Sequence, residues 1–387
     1  MTTPMRIVLI GNYPPDKQES MERFAQMMQT GFQNLGVSSE IWRPVVFFAK
    51  GAGNTTVGLG KWLGYLDKWL LFPLLLRWRL RPGTGYDAVR FHICDHSNAP
   101  YLGHLPHERT GITCHDVLAI RGAMGFEDAY CPASGFGKIL QKWILGHLSR
   151  AKLLATVSKL TLKQLTELAP GHPAPQQDWR VIHNAFNGHF RPMPEDEARE
   201  LLHQKGIRLP EPFILHVGSG MARKNRRMLL DMADKAGSQW TGTICYAGHA
   251  LEDDLLQLAN AYGLSERVVS VTQPDHNTLV ALYSLCQAFV FPSFSEGFGW
   301  PLIEAQACGA PVITSTIEPM PEVSGGAALY AHPSEPIAFA EALLALQNET
   351  TRAEFIRWGF ENAANFESDR IMNAYLDIHS PVPVTVH

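Results

Sequence analysis

The run Arg6-Ile-Val-Leu-Ile-Gly11 is a short β-branched strand ending in glycine, followed by an amphipathic stretch from Ser20 to Leu35 that stops at Gly36; the same grammar restarts at Phe213-Ile-Leu-His-Val-Gly218. A strand, glycine turn and helix repeated in alternation specifies a parallel sheet flanked by helices. Because the pattern restarts from the beginning, it specifies two such sheets rather than one long one. A chain of 387 residues agrees, since it exceeds what one hydrophobic core usually serves.

Further strand candidates in the first half are Ala88-Val-Arg-Phe-His-Ile, Gly111-Ile-Thr-Cys and Leu153-Leu-Ala-Thr-Val, interleaved with helical segments such as Gly137 to Leu148. Around Val181-Ile-His-Asn-Ala the pattern pauses, and Phe190 to Pro194 reads as a connector. The second half continues with a helix through Met228 to Lys235, a strand over Gly242 to Ala247, a helix through Leu251 to Tyr262, strands at Val268-Val-Ser-Val and Ala288-Phe-Val-Phe, and a last one at Val312-Ile-Thr. The expected division is a first domain over 1–190, a second over 191–370, and a terminal piece, 371–387, that packs back on the first domain before ending in a loose tail from Pro381. Doubly wound sheets place ligands at the carboxyl ends of their strands, so function is expected in the cleft where the two domains face each other.

A net charge of -4 gives no overall electrostatic footprint for nucleic acid. The six cysteines form no C-x-x-C pair and read as buried thiols of a cytoplasmic protein. The longest apolar block, Trp69 to Leu76, falls far short of the roughly 20 residues that span a bilayer. No signal peptide or transmembrane helix is expected.

The densest chemistry lies in Phe291-Pro-Ser-Phe-Ser-Glu296-Gly-Phe-Gly-Trp-Pro-Leu-Ile-Glu304-Ala-Gln-Ala-Cys-Gly309. It reads as a strand end, a glycine loop and a helix of about two turns, with Pro301 at its start and Gly309 just past its end. The helix start offers unpaired N–H groups, and Gly297 and Gly299 let backbone approach a ligand closely. Glu304, expected in the first helical turn, is an acceptor suited to a diol rather than to a phosphate. Glu296 and Glu304 with seven residues between them, inside S-E-G-F-G-W-P-L-I-E-A, resemble the signature of the retaining glycosyltransferase family 4. The resemblance implies the GT-B fold, two Rossmann-like doubly wound domains facing across a cleft. It also implies that Glu296 lies beside the transferred sugar, that Gly297, Phe298 and Gly299 donate backbone hydrogen bonds to it, and that Glu304 binds the nucleotide ribose.

His216-Val-Gly-Ser-Gly-Met-Ala-Arg223-Lys224-Asn225 is similar to that family's V-G-S/R…R-K-N stretch. Two adjacent cations after a strand could neutralise a leaving diphosphate without a metal. Gly218 and Ser219 join the donor site by the same resemblance, although many members carry arginine where this chain has Ser219. Arg226 and Arg227 are expected to be an exposed basic helix start. Thr113-Cys-His-Asp resembles the family's H-D element: His115 would meet the donor sugar, with Asp116 as a further candidate, while His92, His96, His104 and His107 read as structural. The loop Gly11 to Met21 lacks the G-G pair often found there in the family.

The expected activity is therefore transfer of a hexose-type sugar from a nucleotide-sugar donor to a glycan, lipid-linked or small-molecule acceptor, with no metal and no cofactor. A nucleotide-sugar binder or an epimerase on the same fold is the alternative. A Rossmann oxidoreductase fits less well, because Arg223 stands where the third glycine of G-x-G-x-x-G belongs. Trp62, Leu66, Trp69, Leu70 and Pro73 fall on one helical stripe among Lys61, Lys68, Arg77, Arg79 and Arg81. The segment Trp62 to Arg81 reads either as a peripheral membrane contact or as a core-facing helix with basic ends.

Overall fold

The computed structural model describes residues 5–52, 54–55 and 57–380; the expected loose tail, 381–387, lies outside the described residues. The chain divides into two compact units, one taking residues up to Glu127, Cys131–Asn187 and the segment from Ser368, the other Asp128–Tyr130 and Gly188–Glu367.

The first unit holds strands β1 (Arg6–Ile10), β2 (Ser38–Trp42), β3 (Arg90–Ile93), β4 (Thr110–Cys114), β5 (Leu153–Thr156) and β6 (Asp178–Val181), in the spatial order β2-β1-β3-β4-β5-β6. The second holds β7 (Phe213–Gly218), β8 (Thr243–Gly248), β9 (Val268–Thr272), β10 (Ala288–Phe291), β11 (Val312–Ser315) and β12 (Leu329–Ala331), ordered β12-β11-β10-β7-β8-β9. All pairings are parallel. Each sheet therefore reverses direction once, between β1 and β3 in one and between β7 and β10 in the other, and such switch points are where the carboxyl ends of strands open a crevice.

Each sheet is buried on both faces: Val8, Phe91, Ile112 and Leu154 on one face and Leu9, His92, Thr113 and Ala155 on the other in the first unit, and Ile214, Ile244, Val290 and Ile313 against Leu215, Cys245, Phe289 and Val312 in the second. Continuous apolar strands are what covering by helices on both sides requires. β2, β6 and β12 were not expected: Val312 does not begin the last strand, and the pause near Val181 contains one. The six cysteines form no disulfide, and five are buried, but Cys131 is exposed.

The helix Ser368–His379 belongs to the first unit and packs on the helix Glu19–Asn34. It brings buried His379 to 2.9 Å from His92 Nδ1, while His92 Nε2 meets Thr113 at 2.8 Å and Thr113 meets Tyr375 at 3.1 Å. Burial holds the His92 ring well below the usual histidine range and His379 down to about 3. Both rings are neutral when folded, yet the unfolded chain protonates them below about pH 6.5. From there down toward 3, the folded value at His379, the unfolded state binds more protons, so stability falls as pH falls. The unfolding free energy from urea titration should be nearly level from pH 7 to about pH 6.5 and then fall toward pH 5 by about 1.4 kcal/mol per pH unit for each ring, and His379→Gln should narrow that loss.

Candidate functional site

In the second unit the switch point lies between β7 and β10, and the two motifs singled out from the sequence leave the carboxyl ends of these two strands. The β7 loop turns through a short 3-10 segment, Ala222–Lys224, and ends at Asn225 with φ 52°. Asparagine tolerates this left-handed conformation better than most residues. Its Nδ2 donates to the carbonyls of Pro292 (3.1 Å) and Pro333 (2.8 Å). Phe294 N–H also donates to the Arg223 carbonyl at 2.8 Å, so backbone and side chain together tie the loop to the segment after β10.

The result is a three-residue charge cluster. Arg223 Nη1 donates to Glu296 Oε2 at 2.6 Å and to the Ser295 carbonyl at 2.8 Å, and Lys224 Nζ donates to Glu296 Oε1 at 2.6 Å. The side chains of Glu296, Lys224 and Arg223 are 7, 12 and 17% exposed, so this is not a solvated surface pair. Burial works against an ionised Glu296, but Lys224 and Arg223 outweigh it and hold the carboxyl below its ordinary range. Burial pulls Lys224 down, with Glu296 opposing. Two cations on one carboxylate leave one positive charge over at the place where the glycine loop begins.

Gly299 has φ 103°, and a Cβ there would stand 3.2 Å from Leu302 and 3.4 Å from Phe291, so only glycine fits. From it starts the helix Trp300–Ala307, ended by Gly309 at φ 81°. Glu304 lies in the second turn of this helix, not the first as expected, and its Oε2 accepts from the buried Tyr283 hydroxyl at 3.1 Å. Arg226 corrects another expectation: it is buried, with Nη1 3.0 Å from Glu252 and its guanidinium over the Tyr246 ring, whereas Arg227 is exposed.

Of three further polar groups here, Ser219 was expected at the donor site from the sequence, whereas His216 and Ser293 were given no role. His216 Nε2, Ser219 Oγ and Ser293 Oγ are buried and have no hydrogen-bond partner among the described residues. Buried polar atoms are normally paired, so such groups near strand ends are open to a water or to a ligand's polar atom. His216 Nδ1 lies 3.0 Å from the Val290 carbonyl, which assigns the proton to Nδ1 and leaves Nε2 an acceptor. Burial pushes this ring down to about 3, so it stays neutral and offers an acceptor rather than a charge. A point one Cβ bond from Gly218 is 3.1 Å from His216 Nε2 and 3.8 Å from Lys224 Cδ, which puts the acceptor beside the cation.

His115 and Asp116 stand in the first unit, at the carboxyl end of β4. His115 is buried, its Nε2 2.8 Å from the Cys94 carbonyl and its ring edge-on to Phe24. Asp116 Oδ1 accepts from Leu118 N–H at 2.9 Å, closing a turn. At that unit's own switch point, Asn12 and Asp95 follow β1 and β3: Asn12 Nδ2 donates to Asp95 Oδ2 at 2.6 Å, and Asn98 Nδ2 to Asn12 Oδ1 at 2.8 Å. Neither Asn12 nor Asp95 was singled out from the sequence, although their place directly after strand-like runs was a usable signal. Among the described residues no group of three or more His, Cys, Asp or Glu side chains is placed to hold a metal ion, and no helix is long and apolar enough to cross a membrane.

Residues 197–361 match the family model described as glycosyl transferases group 1. The chain is 29% identical over 320 residues, 79% of its length and 78% of the relative's, to the O-antigen chain mannosyltransferase B of Escherichia coli. It is 38% identical over 224 residues to the serotype-specific mannosyltransferase WbdA of Escherichia coli, covering 56% of this chain but only 26% of that much longer protein. Among solved structures, sucrose-phosphate synthase of Thermosynechococcus elongatus superposes with a TM-score of 0.73 at 18% identity, over 97% of this chain and 98% of that one. The fold is GT-B, and the chain is an enzyme of the glycosyltransferase class.

The Asn225 staple carries its own test. Asn225→Ala leaves two carbonyls, Pro292 and Pro333, without their donor, and is expected to cost about 1–3 kcal/mol in a denaturant titration. A smaller loss would mean that backbone pairing alone holds the loop.

Proposed function

We propose that this enzyme, as a family 4 member, transfers a mannose-type hexose from a nucleoside diphosphate sugar to a glycan hydroxyl, with retention at the anomeric carbon and without a metal. The observation that carries the reading is the buried Arg223–Glu296–Lys224 cluster with its surplus positive charge. The mannosyltransferases named above support the choice of sugar and a glycan acceptor.

In this reading the diphosphate takes Arg223 and Lys224 as partners, in competition with Glu296. Cations fixed in advance at a place where negative charge develops stabilise the departing phosphate at no cost of reorganisation. Glu296, relieved of one cation, turns its acceptor oxygens to sugar hydroxyls, and the N–H groups of Gly297 to Gly299 hold the same sugar. Glu304, braced by Tyr283, accepts the ribose diol, and His216 Nε2 accepts one further hydroxyl. Ser219 and Gly218 border the phosphates. His115, the candidate of the first unit, is neutral because burial lowers its ring below the usual range. The acceptor hydroxyl attacks the anomeric carbon from the side on which the phosphate leaves, and that phosphate oxygen takes its proton. The new glycosidic bond forms as the C1–O bond to phosphate breaks. Positioning and electrostatics then supply the acceleration, with no protein nucleophile.

A ligand that binds only the folded state raises the melting temperature by mass action. Thermal shifts against GDP, UDP, ADP and their common sugars should single out one base, and Lys224→Ala and Glu304→Ala should each abolish the shift. Lys224→Ala should also cut kcat/KM by about 10²–10³ in a radiolabelled-sugar assay with the responding donor. No shift with any nucleotide at millimolar concentration would remove the donor assignment.

Glu296→Gln separates the two duties of that carboxylate. It removes the competitor for both cations, so the bare nucleoside diphosphate should bind several-fold tighter while transfer falls by about 10²-fold or more. Weaker nucleotide binding would show that Glu296 organises the cations instead of competing for them.

A further inference from the structure

The helical rod formed by Gly58–Leu66, a π-helical segment Asp67–Leu71, and Phe72–Arg79 is about 30 Å long and belongs to the first unit. Its inner face is satisfied: Phe72, Pro73 and Leu76 are buried, and Phe72 and Trp69 pack on Tyr101. Yet Leu59, Trp62, Leu66, Leu70, Leu74 and Trp78 are between 41 and 74% exposed. From Trp62 they recur at every fourth residue. On an α-helix that spacing drifts about 40° per step, and the underwound π turn in the middle takes back part of the drift, so the row stays on one outward face.

Two neighbouring segments extend the face. The helix Gly135–Leu148 buries Ile144, Leu145 and Leu148 but exposes Phe136, Ile139 and Trp143. It joins the rod through Trp62 on Phe136 and Trp69 on Trp143, each with ring centroids 5.1 Å apart. The loop Val45 to Phe48 is four exposed apolar residues in succession. It is pinned to the π segment, because buried Asp67 accepts from the N–H groups of Phe47, Phe48 and Ala49 at 3.2, 2.8 and 3.1 Å, and from the Tyr13 hydroxyl at 2.6 Å. A soluble chain rarely leaves a contiguous apolar patch of this extent without a partner.

Charge identifies the partner. Residues 57–81 and 135–150 together carry eight lysines and arginines and one acid, Asp67, which is buried, in a chain of net charge -4. Arg77, Arg81, Lys138 and Lys142 are exposed. Trp78, Arg79 and Arg81 also border an open hollow of about 830 Å³ at the end of the rod. A second copy would set this basic rim against itself, whereas an anionic lipid leaflet meets both the aromatic and aliphatic row and the rim.

We propose that the face made by Trp62 to Trp78, Phe136 to Trp143 and Val45 to Phe48 docks on an anionic phospholipid surface, with the apolar row at the acyl boundary and the basic rim on the headgroups. This docking stands apart from the donor assignment.

Co-sedimentation of the full chain with vesicles of about three parts phosphatidylcholine to one part phosphatidylglycerol should show binding that added salt weakens and that pure phosphatidylcholine largely loses. Leu70→Ser with Leu74→Ser should weaken it tenfold or more, and Arg77→Glu with Arg81→Glu by at least about twentyfold, taking about fivefold per basic residue. Ile337→Ser, an exposed apolar change in the second unit, should leave it unchanged. The nucleotide-induced thermal shift of each variant reports that it is folded and that the donor site is intact. Should the leucine pair fail to fold, the arginine pair, at exposed positions, decides alone. Equal binding to both vesicle types, none to either, or unchanged binding by the arginine variant overturns the proposal, as does a wild-type dimer in light scattering that the leucine variant splits while vesicles go unbound.

Discussion

Glu296 sits between Arg223 and Lys224, and the loops at the carboxyl ends of β7 and β10 depend on that arrangement. Removing an ion from water costs several kcal/mol even after relaxation, so neither cation would stay at this depth without a carboxylate to meet it. The carboxylate in turn comes from a loop more than seventy residues further along the chain. Its contacts therefore fix two loops at once, from β7 and β10, and the Asn225 staple and the Phe294–Arg223 backbone bond lock the same pair. The charge balance is deliberately incomplete. A fully neutral cluster would have no pull on an anion, and two bare cations would be too costly to bury; one surplus charge lies between these limits.

Much of this was readable from spacing. The strand-glycine-helix grammar located most central strands because they are apolar on both faces, and the two switch points follow once each half is doubly wound. β2, β6 and β12 escaped because they lie at or beside the ends of their sheets: Ser38-Ser-Glu-Ile-Trp and Asp178-Trp-Arg-Val carry polar side chains where a central strand would carry valine or isoleucine, and β12 is only three residues long. Arg223, Lys224 and Glu296 were legible because charged residues beside glycines at strand ends have few structural excuses. His216 had one. Within Phe213-Ile-Leu-His-Val it reads as a buried strand residue, which it is, and only the hydrogen bond of Nδ1 to Val290 shows that Nε2 is left as an acceptor. Arg226 was misread for the same reason in reverse, since its partner Glu252 lies in another loop that sequence adjacency does not reveal.

In the first unit the polar residues past β1, β3 and β4 are already committed to one another. Asp95 accepts from Asn12 and from the Ser97 hydroxyl, each at 2.6 Å, and Asn98 completes the chain. Burial disfavours an ionised Asp95, but His96 and His115 outweigh it and keep the carboxyl low. Residues satisfied in this way have their rotamers fixed before any substrate arrives, which is the condition for holding a reacting group to within a fraction of an ångström. The absence of a Gly-Gly pair after β1 fits this arrangement: Asn12 occupies the strand end, and a side chain on Gly11 would already crowd Ile41 and Arg43 at 3.2 and 3.3 Å.

The rod from Gly58 to Arg79 shows where periodicity stops being a guide. On an ideal α-helix Trp62, Leu66, Trp69, Leu70 and Pro73 share one face, which left a core-facing helix and a membrane-facing one equally acceptable. The π segment breaks that tie by turning less per residue. It sends Trp69 and Pro73 inward, to Tyr101 and the core, and leaves Trp62, Leu66 and Leu70 outward. The π segment opens on Asp67, a buried acid in an otherwise apolar stretch, which burial alone would keep protonated. Its bonds to Tyr13 and to the three N–H groups of residues 47–49 outweigh that and hold it ionised. An acid that looks misplaced in the sequence thus stands where one apolar stripe divides into an inward row and an outward one.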